Sequence, residues 1–306
     1  MMEAVAKHTA SGDFTDLEHR GIGCLYFILG AMGVLSNCLM LNVFIRRNVM
    51  SAPKKVLHIN LCVSNMMVCL GFPFSGLSSF KGKWLFETFG CQAYGVETYT
   101  GGYASVGFVI ALCIERYYAV RCTEFYESTS AMTWWLISFG VWMISLMWAV
   151  MPLFGWSSYA PESSGVACGL NWLQKDYSHW TYSFAIMVGY YFLYAVAMVC
   201  ISAARQDNPK IVTRGQESEW LDDNQLRGLC IGFLSVSIVA WGPYGMIMGW
   251  SMVSSSTELS MLAASLPPLF AKGGTSLYPF GYLLASSKIR ESMLGGFQEE
   301  EEKKGK

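Results

Sequence analysis

Seven long runs of apolar residues alternate with shorter polar segments along the chain. An α-helix needs ~20 apolar residues to cross the hydrocarbon core of a bilayer. The length of the runs therefore predicts seven transmembrane helices. We place them at residues 21–45, 56–79, 91–117, 132–154, 179–203, 226–252 and 259–285. Prolines and glycines occur within the runs, and membrane helices tolerate both when neighbouring helices satisfy the freed backbone groups.

The predicted fold class is all-α, with a seven-helix domain that covers residues 21–285. Polar residues 1–20 form a tail before this domain, and residues 286–306 form a second tail after it. Within the second tail, the stretch SSKIRESMLGGF is typical of a short amphipathic helix that lies on the inner membrane surface.

The composition agrees with a membrane protein and excludes some functions. Hydrophobic residues make up 53% of the chain and charged residues 14%, whereas soluble proteins carry about a quarter charged residues. The formal net charge is −1. Because the sequence contains no basic stripe, nucleic-acid binding is not expected. We also predict no metal site.

Lysine and arginine residues are unevenly distributed between the two sides of the predicted bundle. Fifteen of the 21 fall in the segments on one side and five on the other, and the remaining one is Lys272. Cytosolic loops carry the excess of Lys and Arg, so we expect the C-terminus in the cytosol and the N-terminus outside the cell or in a lumen. Seven spans agree with termini on opposite sides.

Two of the ten cysteines, Cys91 and Cys168, fall on the predicted outer side. Because that compartment is oxidising, we expect a disulfide between them, which would pin the loop at 155–178 over the mouth of the bundle. The alternative is two free thiols.

Glu97, Glu115 and Lys272 are ionisable residues inside the apolar runs. A lysine at the centre of a membrane helix costs roughly 2.5–3.5 kcal/mol on insertion scales, so something should compensate for Lys272 or remove its charge. Burial favours the neutral amine, a nucleophile that forms a Schiff base with an aldehyde. The residues alone leave equally open a lysine that pairs with a glutamate in a proton or ion pathway.

Each glutamate also has two interpretations. Glu115 precedes Arg116 and Tyr117 at the cytosolic end of the third run, where the Glu-Arg pair either snorkels to the membrane surface or forms a latch between helix ends. Glu97 is either hydrogen-bonded within the bundle or the counterion of a buried cation.

Motifs spread over residues 36–282 resemble those of the opsins, within the rhodopsin-like class of seven-helix receptors. The stretch LFAKGG resembles the retinal-attachment site of the seventh opsin helix, and CIERYYAV resembles the Glu/Asp-Arg-Tyr motif. AWGPYGMIMGW resembles the sixth-helix Trp-x-Pro motif, and MPLFGWSSYAPESSGVAC resembles the run into the retinal-covering loop. Asn37 and Trp142 match single opsin positions in the first and fourth helices.

The resemblance implies a retinal chromophore held as a Schiff base on Lys272. It places Trp241 and Tyr244 along the polyene and its ring end. Gly95 and Gly102 are candidates for close approach between helix and ligand, although glycines in membrane helices also serve helix packing.

A protonated Schiff base in a low-dielectric pocket needs a nearby anion. Vertebrate visual pigments carry a glutamate three residues after the third-helix cysteine, where this chain has Tyr94. The other opsin position lies six residues before the second cysteine, in the covering loop, where this chain has Glu162. The resemblance therefore implies Glu162 as the counterion, with Glu97 as the second choice.

Within the opsins the chain most resembles retinochrome and the retinal G-protein-coupled receptor of pigment epithelium, on features such as GCQAYG, LPPLFAK and WGPY. Those relatives are photoisomerases that bind all-trans-retinal and convert it with light to the 11-cis form. We expect the same reaction here, in plasma or intracellular membranes of photoreceptor cells, with a retinal-binding shuttle protein as a partner besides membrane lipid. The alternatives are a light-activated receptor coupled to a G protein, and a receptor for a diffusible ligand in which Lys272 is merely ion-paired.

Two departures from signalling opsins argue against G-protein activation. The Asn-Pro-x-x-Tyr motif begins with Tyr278 here and continues through Pro279 to Tyr282, and Asn65 replaces the usual second-helix aspartate. These positions normally form a polar hub that rearranges on activation. The Glu-Arg-Tyr motif is retained, which leaves coupling open.

Overall fold

The protein is described by a computed structural model that covers residues 14–47, 49–50, 52–162, 164–205, 220–253 and 261–293. The α-helices in this part of the chain are α1 Asp16–Arg46, α2 Ala52–Leu70, α3 Phe72–Phe80, α4 Glu87–Arg121, α5 Thr123–Ser128, α6 Ala131–Val150, α7 Tyr177–Ala203, α8 Asp223–Val253, α9 Met261–Gly273, α10 Tyr278–Ala285 and α11 Ser287–Met293. Short 3₁₀ turns follow α6 at Met151–Phe154 and α9 at Gly274–Ser276.

Six stretches within the described residues are helical, long enough and apolar enough to cross a membrane. They are Asp16–Arg46, Lys55–Phe80, Glu87–Arg121, Ala131–Phe154, Tyr177–Ala203 and Asp223–Val253. The seventh span consists of α9, the 3₁₀ turn at Gly274–Ser276 and α10. The prediction of a seven-helix bundle is therefore confirmed, with the seventh span interrupted two residues after Lys272.

The first span begins earlier than the apolar pattern indicates. Thr15 and Glu18 form a capping box in which each side chain bonds to the backbone of the other, so α1 starts at Asp16 instead of residue 21. A capping box satisfies backbone N–H groups that have no partner within the helix. The helix therefore extends through polar residues that a hydropathy pattern leaves in the tail.

The second span is two helices, because α2 ends before Gly71 and α3 begins with Phe72 and Pro73. Proline is favoured in the first turn of a helix, where its missing N–H has no partner to lose. A Cβ atom on Gly71 would lie 2.7 Å from Cγ2 of Thr98. The bend and the missing side chain together bring the second span close to α4.

A small hairpin covers one end of the bundle. Strand β1, Tyr159–Pro161, pairs antiparallel with strand β2, Cys168–Leu170, in a register that sets Pro161 opposite Cys168. A disulfide joins Cys168 to Cys91 in α4, with the two Cα atoms 5.4 Å apart. The predicted disulfide is confirmed, and it fixes the hairpin to the third span.

Polar contacts as well as apolar packing hold the spans together, as expected where lipid removes the hydrophobic drive between helices. Trp142 of α6 donates its indole N–H to Asn60 of α2 at 2.9 Å. After the seventh span, α11 matches the predicted amphipathic helix, and its Ile289 side chain is fully buried.

Candidate functional site

Lys272 of α9 forms a buried ion pair with Glu162 of the covering hairpin. The distance from Lys272 Nζ to Glu162 Oε1 is 2.9 Å, and the two residues are only 6% and 7% exposed. Removing two charges from water is expensive, and a close, hydrogen-bonded partner offsets much of that cost. The cost of placing Lys272 inside the bundle is therefore offset by a carboxylate.

The hairpin places Glu162 by its backbone. Glu162 follows β1 directly, its N–H donates to the carbonyl of Ala167 at 2.8 Å, and its carbonyl accepts from the N–H of Gly165 at 2.7 Å. Gly165 has a φ of +66°, a left-handed conformation that glycine adopts without steric cost. A Cβ atom on Gly169 would lie 2.7 Å from Glu162 Oε1, so a glycine there leaves room for the carboxylate.

Other groups surround the ammonium of Lys272. Its Nζ lies 5.1 Å from the centre of the Tyr94 ring, a distance at which a cation is attracted to the face of an aromatic ring. The Tyr94 hydroxyl accepts a hydrogen bond from Ser75 at 2.8 Å, which fixes the ring. Nζ also donates to the carbonyl of Cys168 at 3.5 Å, so the disulfide-bonded strand contributes directly to this environment.

An apolar cavity of about 270 Å³ lies between α4, α7 and α8. Small-molecule sites in proteins have this apolar and aromatic character, with a few placed polar groups. The residues that line the cavity include Tyr99, Tyr103, Leu170, Tyr190, Trp241 and Tyr244. Trp241 and Tyr244, both predicted to contact a ligand, therefore face this cavity.

Tyr99 is a site residue that the sequence analysis missed. Its hydroxyl is hydrogen-bonded to the hydroxyl of Tyr244 and accepts the N–H of Leu170 at 3.1 Å. Tyr99 lies four residues after Gly95 and three before Gly102, so helical periodicity places all three on one face of α4. This periodicity is the sequence signal that could have identified Tyr99 as a site residue.

The two candidate glycines have different neighbours. A Cβ atom on Gly102 would lie 2.8 Å from the Trp241 ring, so this glycine allows the indole to lie against α4 beside the cavity. A Cβ atom on Gly95 would lie 2.6 Å from the ring of Tyr159 in the covering hairpin. Gly95 therefore leaves room for Tyr159 of the covering hairpin rather than for a side chain of the cavity wall.

The side chain of Glu97, the alternative counterion, lies next to Gly71. Its Oε2 atom lies 3.0 Å from the position that a Cβ atom on Gly71 would occupy, at the bend of the second span. Glu97 is partly exposed, whereas Glu162 is buried and directly bonded to Lys272. The geometry favours Glu162.

A second charged cluster lies at the opposite end of α4. Glu115 and Arg116 are 1% and 2% exposed and contact each other, and Tyr126 of α5 donates to Glu115. Arg116 also bonds to Asp223 at the start of α8, with Nη1 and Oδ1 3.0 Å apart. The Arg116–Asp223 pair joins α4 to α8. These side chains therefore form a latch between two helices and do not snorkel to the membrane surface. Asp223 lies outside the apolar run predicted at 226–252, although an acidic residue in the first turn of a helix is a common signal.

Hydrogen bonds of the predicted polar hub connect the first three spans through neutral groups. Asn65 donates to Asn37 Oδ1 at 3.3 Å and accepts from Ser105 Oγ at 2.7 Å. Tyr278, the other predicted hub position, is buried and packs its ring against Phe233 of α8 with 5.2 Å between ring centres. The hub residues named here carry no formal charge at neutral pH.

The end of the seventh span is tied to the second span. The hydroxyl of Tyr282 lies 2.6 Å from Nδ1 of His58, and both residues are buried. Pro279 lies in the first turn of α10, and Tyr282 lies about one turn later. Tyr117, next to Arg116, packs its ring against Tyr118 with 5.7 Å between ring centres.

The bundle, the covering hairpin and the latch between Arg116 and Asp223 are features of the class of seven-transmembrane receptors. Residues 36–280 match the model of the family described as 7 transmembrane receptor (rhodopsin family), and the chain belongs to this family.

Similar proteins are opsins. The chain is 27% identical to the human (Homo sapiens) visual pigment-like receptor peropsin, over 96% of this chain and 89% of that protein. It is 29% identical to retinochrome of Todarodes pacificus, over 92% of this chain and 94% of that protein. It is 30% identical to a G0-coupled rhodopsin of Mizuhopecten yessoensis, over 90% of this chain and 72% of that protein.

The fold is also similar to that in a crystal structure of squid rhodopsin. The TM-score is 0.83 at 21% sequence identity, and the match covers 94% of this chain and 82% of that one. At this identity the likeness establishes the seven-helix fold.

Proposed function

We propose that the protein binds retinal covalently through Lys272 and acts as a light-driven isomerase that converts all-trans-retinal to the 11-cis form. The observation that carries the proposal is the buried Lys272–Glu162 pair, which Tyr99, Trp241 and Tyr244 connect to a large apolar cavity. A receptor of this family that binds only diffusible ligands has no need for an amine at the centre of its seventh span.

The residues present fit retinal, which is an apolar polyene with an aldehyde at one end. The amine of Lys272 is the group that reacts with an aldehyde. The cavity supplies aromatic and aliphatic side chains for the polyene and its ring. When bound, retinal supplies the absorption of light and the double bonds that isomerise.

The protein's own residues then have distinct roles. Glu162 holds a negative charge against the nitrogen of Lys272, and the ring of Tyr94 lies beside the same nitrogen. The hairpin, fixed by the Cys91–Cys168 disulfide, covers the site and limits access of water. Trp241, seated against Gly102, forms a rigid wall that restricts which bond of a polyene has room to turn.

The direction from all-trans to 11-cis is supported by similarity to retinochrome and by the hub. Asn65 lacks the charge of the aspartate found at its position in signalling opsins, and Tyr278 lacks the compact amide of the asparagine found at its position. Such a hub suits a protein that does not need to pass strain to a G protein.

A light-activated receptor coupled to a G protein is the second candidate. The Arg116–Asp223 pair favours it, because this contact joins the inner ends of α4 and α8 and its opening would expose a docking surface. The similarity to a G0-coupled rhodopsin supports the same interpretation. A receptor for a diffusible ligand, with Lys272 only ion-paired, is the third candidate, and covalent uptake of retinal excludes it.

The proposed setting follows from the same features. The excess of Lys and Arg supports an orientation with the hairpin side outside the cell or in a lumen and the Arg116 side in the cytosol. An isomerase in a plasma or intracellular membrane of a photoreceptor cell must release its product, so a retinal-binding shuttle protein is the expected partner.

Covalent attachment is tested first. Purified protein is incubated with all-trans-retinal in darkness and reduced with borohydride, and its peptides are analysed by mass spectrometry. The retinyl adduct should map to Lys272 and be absent from Lys272→Ala, whereas an adduct retained by that variant would refute attachment at this residue. Illumination and extraction of the retinal then test the direction of isomerisation.

A further inference from the structure

Two tyrosines lie between Lys272 and the large cavity. A small space beside Lys272 is bordered by Glu162, Tyr99, Trp241 and Tyr244. The last three of these residues also line the cavity of about 270 Å³. Since the hydroxyls of Tyr99 and Tyr244 are bonded to each other, their bond bridges α4 and α8 at the boundary between the two spaces.

The far side of the cavity faces the outside of the bundle. Three of its lining residues are strongly exposed: Tyr191 of α7 is 54% exposed, Met198 of α7 is 47% exposed and Ile238 of α8 is 39% exposed. In a membrane these side chains contact lipid. The cavity is therefore open to the bilayer between α7 and α8, and an apolar aldehyde that enters there has the tyrosine pair between itself and Lys272.

We propose that the Tyr99–Tyr244 hydrogen bond is a gate that retinal must part to reach Lys272, so that this pair limits the rate of covalent attachment. The inference rests on the proposed retinal-binding function. Both hydroxyls are buried, and within the described chain Tyr244 Oη bonds to Tyr99 alone. Parting the pair leaves a buried hydroxyl without its partner, and that loss slows the approach.

The gate is also attached to the covering hairpin. The N–H of Leu170 in β2 donates to Tyr99 Oη at 3.1 Å. Removing the Tyr99 hydroxyl therefore also leaves Leu170 without its acceptor, whereas removing the Tyr244 hydroxyl leaves that bond intact. Tyr244→Phe is therefore the main test, because it removes the bond between the two tyrosines and keeps the bond to Leu170. Tyr99→Phe is the supporting variant.

Tyr182→Phe is the matched control. Tyr182 is fully buried in the same aromatic cluster, and its hydroxyl donates to the carbonyl of Trp148 at 2.8 Å, away from the boundary. The Tyr182→Phe variant therefore removes one buried tyrosine hydroxyl and keeps the bond between Tyr99 and Tyr244.

The experiment measures the rate of attachment. Wild type and the three variants, reconstituted in phospholipid vesicles, receive excess all-trans-retinal in darkness, and samples are reduced with borohydride at intervals. The retinyl adduct on Lys272 is counted by mass spectrometry. Tyr244→Phe and Tyr99→Phe should attach retinal roughly two- to tenfold faster, the factor expected for one buried hydrogen bond, and reach at least the wild-type extent.

Different outcomes separate the gate from the function on which it rests. If Tyr244→Phe attaches retinal at the wild-type rate or more slowly, or if Tyr182→Phe accelerates it equally, the gate is refuted while the retinal-binding function stands. If wild type forms no adduct on Lys272, the proposed function and the gate both fail.

Discussion

Lys272 Nζ and Glu162 Oε1 lie 2.9 Å apart, although 110 residues separate the two positions in the sequence. The Cys91–Cys168 disulfide and the β1–β2 hairpin hold the carboxylate over the amine. Removing one member of a buried ion pair costs about 3–5 kcal/mol, because the remaining charge is left unpaired. Substitutions at this pair should therefore change both the chemistry of the nitrogen and the stability of the protein.

The first prediction concerns the charge beside a bound chromophore. In Glu162→Gln no carboxylate faces the nitrogen, so the neutral linkage is favoured at neutral pH. The absorbance of the retinal-loaded variant should move from the visible range towards the ultraviolet. Absorption spectra of wild type and variant in darkness measure this directly.

Glu97→Gln is the control for Glu162→Gln. It removes a carboxylate from the same region of the bundle without changing the direct partner of Lys272, so it should keep the visible absorbance. An unchanged spectrum for Glu162→Gln together with a loss of visible absorbance in Glu97→Gln would assign the counterion to Glu97.

The second prediction concerns the disulfide. Cys168→Ala should reduce the yield of retinal-bound protein and lower the unfolding temperature, because loss of a native disulfide costs about 2–5 kcal/mol and frees the hairpin that carries Glu162. Cys38→Ala, which removes an exposed free thiol, is the control. Wild-type yield and unfolding temperature in Cys168→Ala would contradict the proposed role of the loop.

The third prediction concerns the latch between Arg116 and Asp223. Asp223→Ala removes the carboxylate that joins Arg116 to α8, so the C-terminal end of α4 and the start of α8 should separate more often. The buried thiols of Cys113 and Cys230, which lie between these helices, should then be alkylated roughly tenfold faster. Mass spectrometry of the labelled peptides gives the two rates.

Asp222→Ala is the control for the latch. Asp222 caps the N–H of Gln225 at the same helix end, so this variant also removes a carboxylate and a helix contact but keeps the Arg116 pair. Equal acceleration in both variants would point to fraying of α8 rather than to the ion pair.

The fourth prediction concerns His58 and Tyr282. His58→Leu leaves the Tyr282 hydroxyl buried without its partner, which should lower the unfolding free energy by about 1–3 kcal/mol. Adding Tyr282→Phe removes the unpaired hydroxyl, so the double variant should lose less stability than the sum of the two single variants. Thermal unfolding of all four proteins measures the coupling, and strictly additive losses would mean that the contact contributes nothing.

Much of this architecture follows from the sequence because a bilayer constrains a chain strongly. Apolar runs of sufficient length must be helices, and a lysine at the centre of one of them must have a compensating partner. These two constraints predict the bundle and single out Lys272. The pairing with Glu162 came from resemblance to opsins, since nothing in hydropathy says which loop folds back over the bundle.

The remaining features depend on how helices rotate and where they bend. The break at Gly71 and the interruption after Gly273 are invisible to hydropathy, because the apolar run continues through both. Tyr99 is one of 16 tyrosines, and only the packing of α4 against α8 distinguishes it from the others. Asp223 was not singled out because its partner is 107 residues away on another helix.

The isomer composition of bound retinal before and after illumination tests the central claim most directly. The protein is loaded in darkness with all-trans-retinal, illuminated, and extracted for chromatography, with an unilluminated sample and Lys272→Ala as controls. The all-trans peak should fall and the 11-cis peak should rise in the illuminated wild type alone. A protein that loads only 11-cis-retinal in darkness and yields all-trans-retinal on illumination, with nucleotide exchange on a G protein, would contradict the isomerase proposal and favour the receptor.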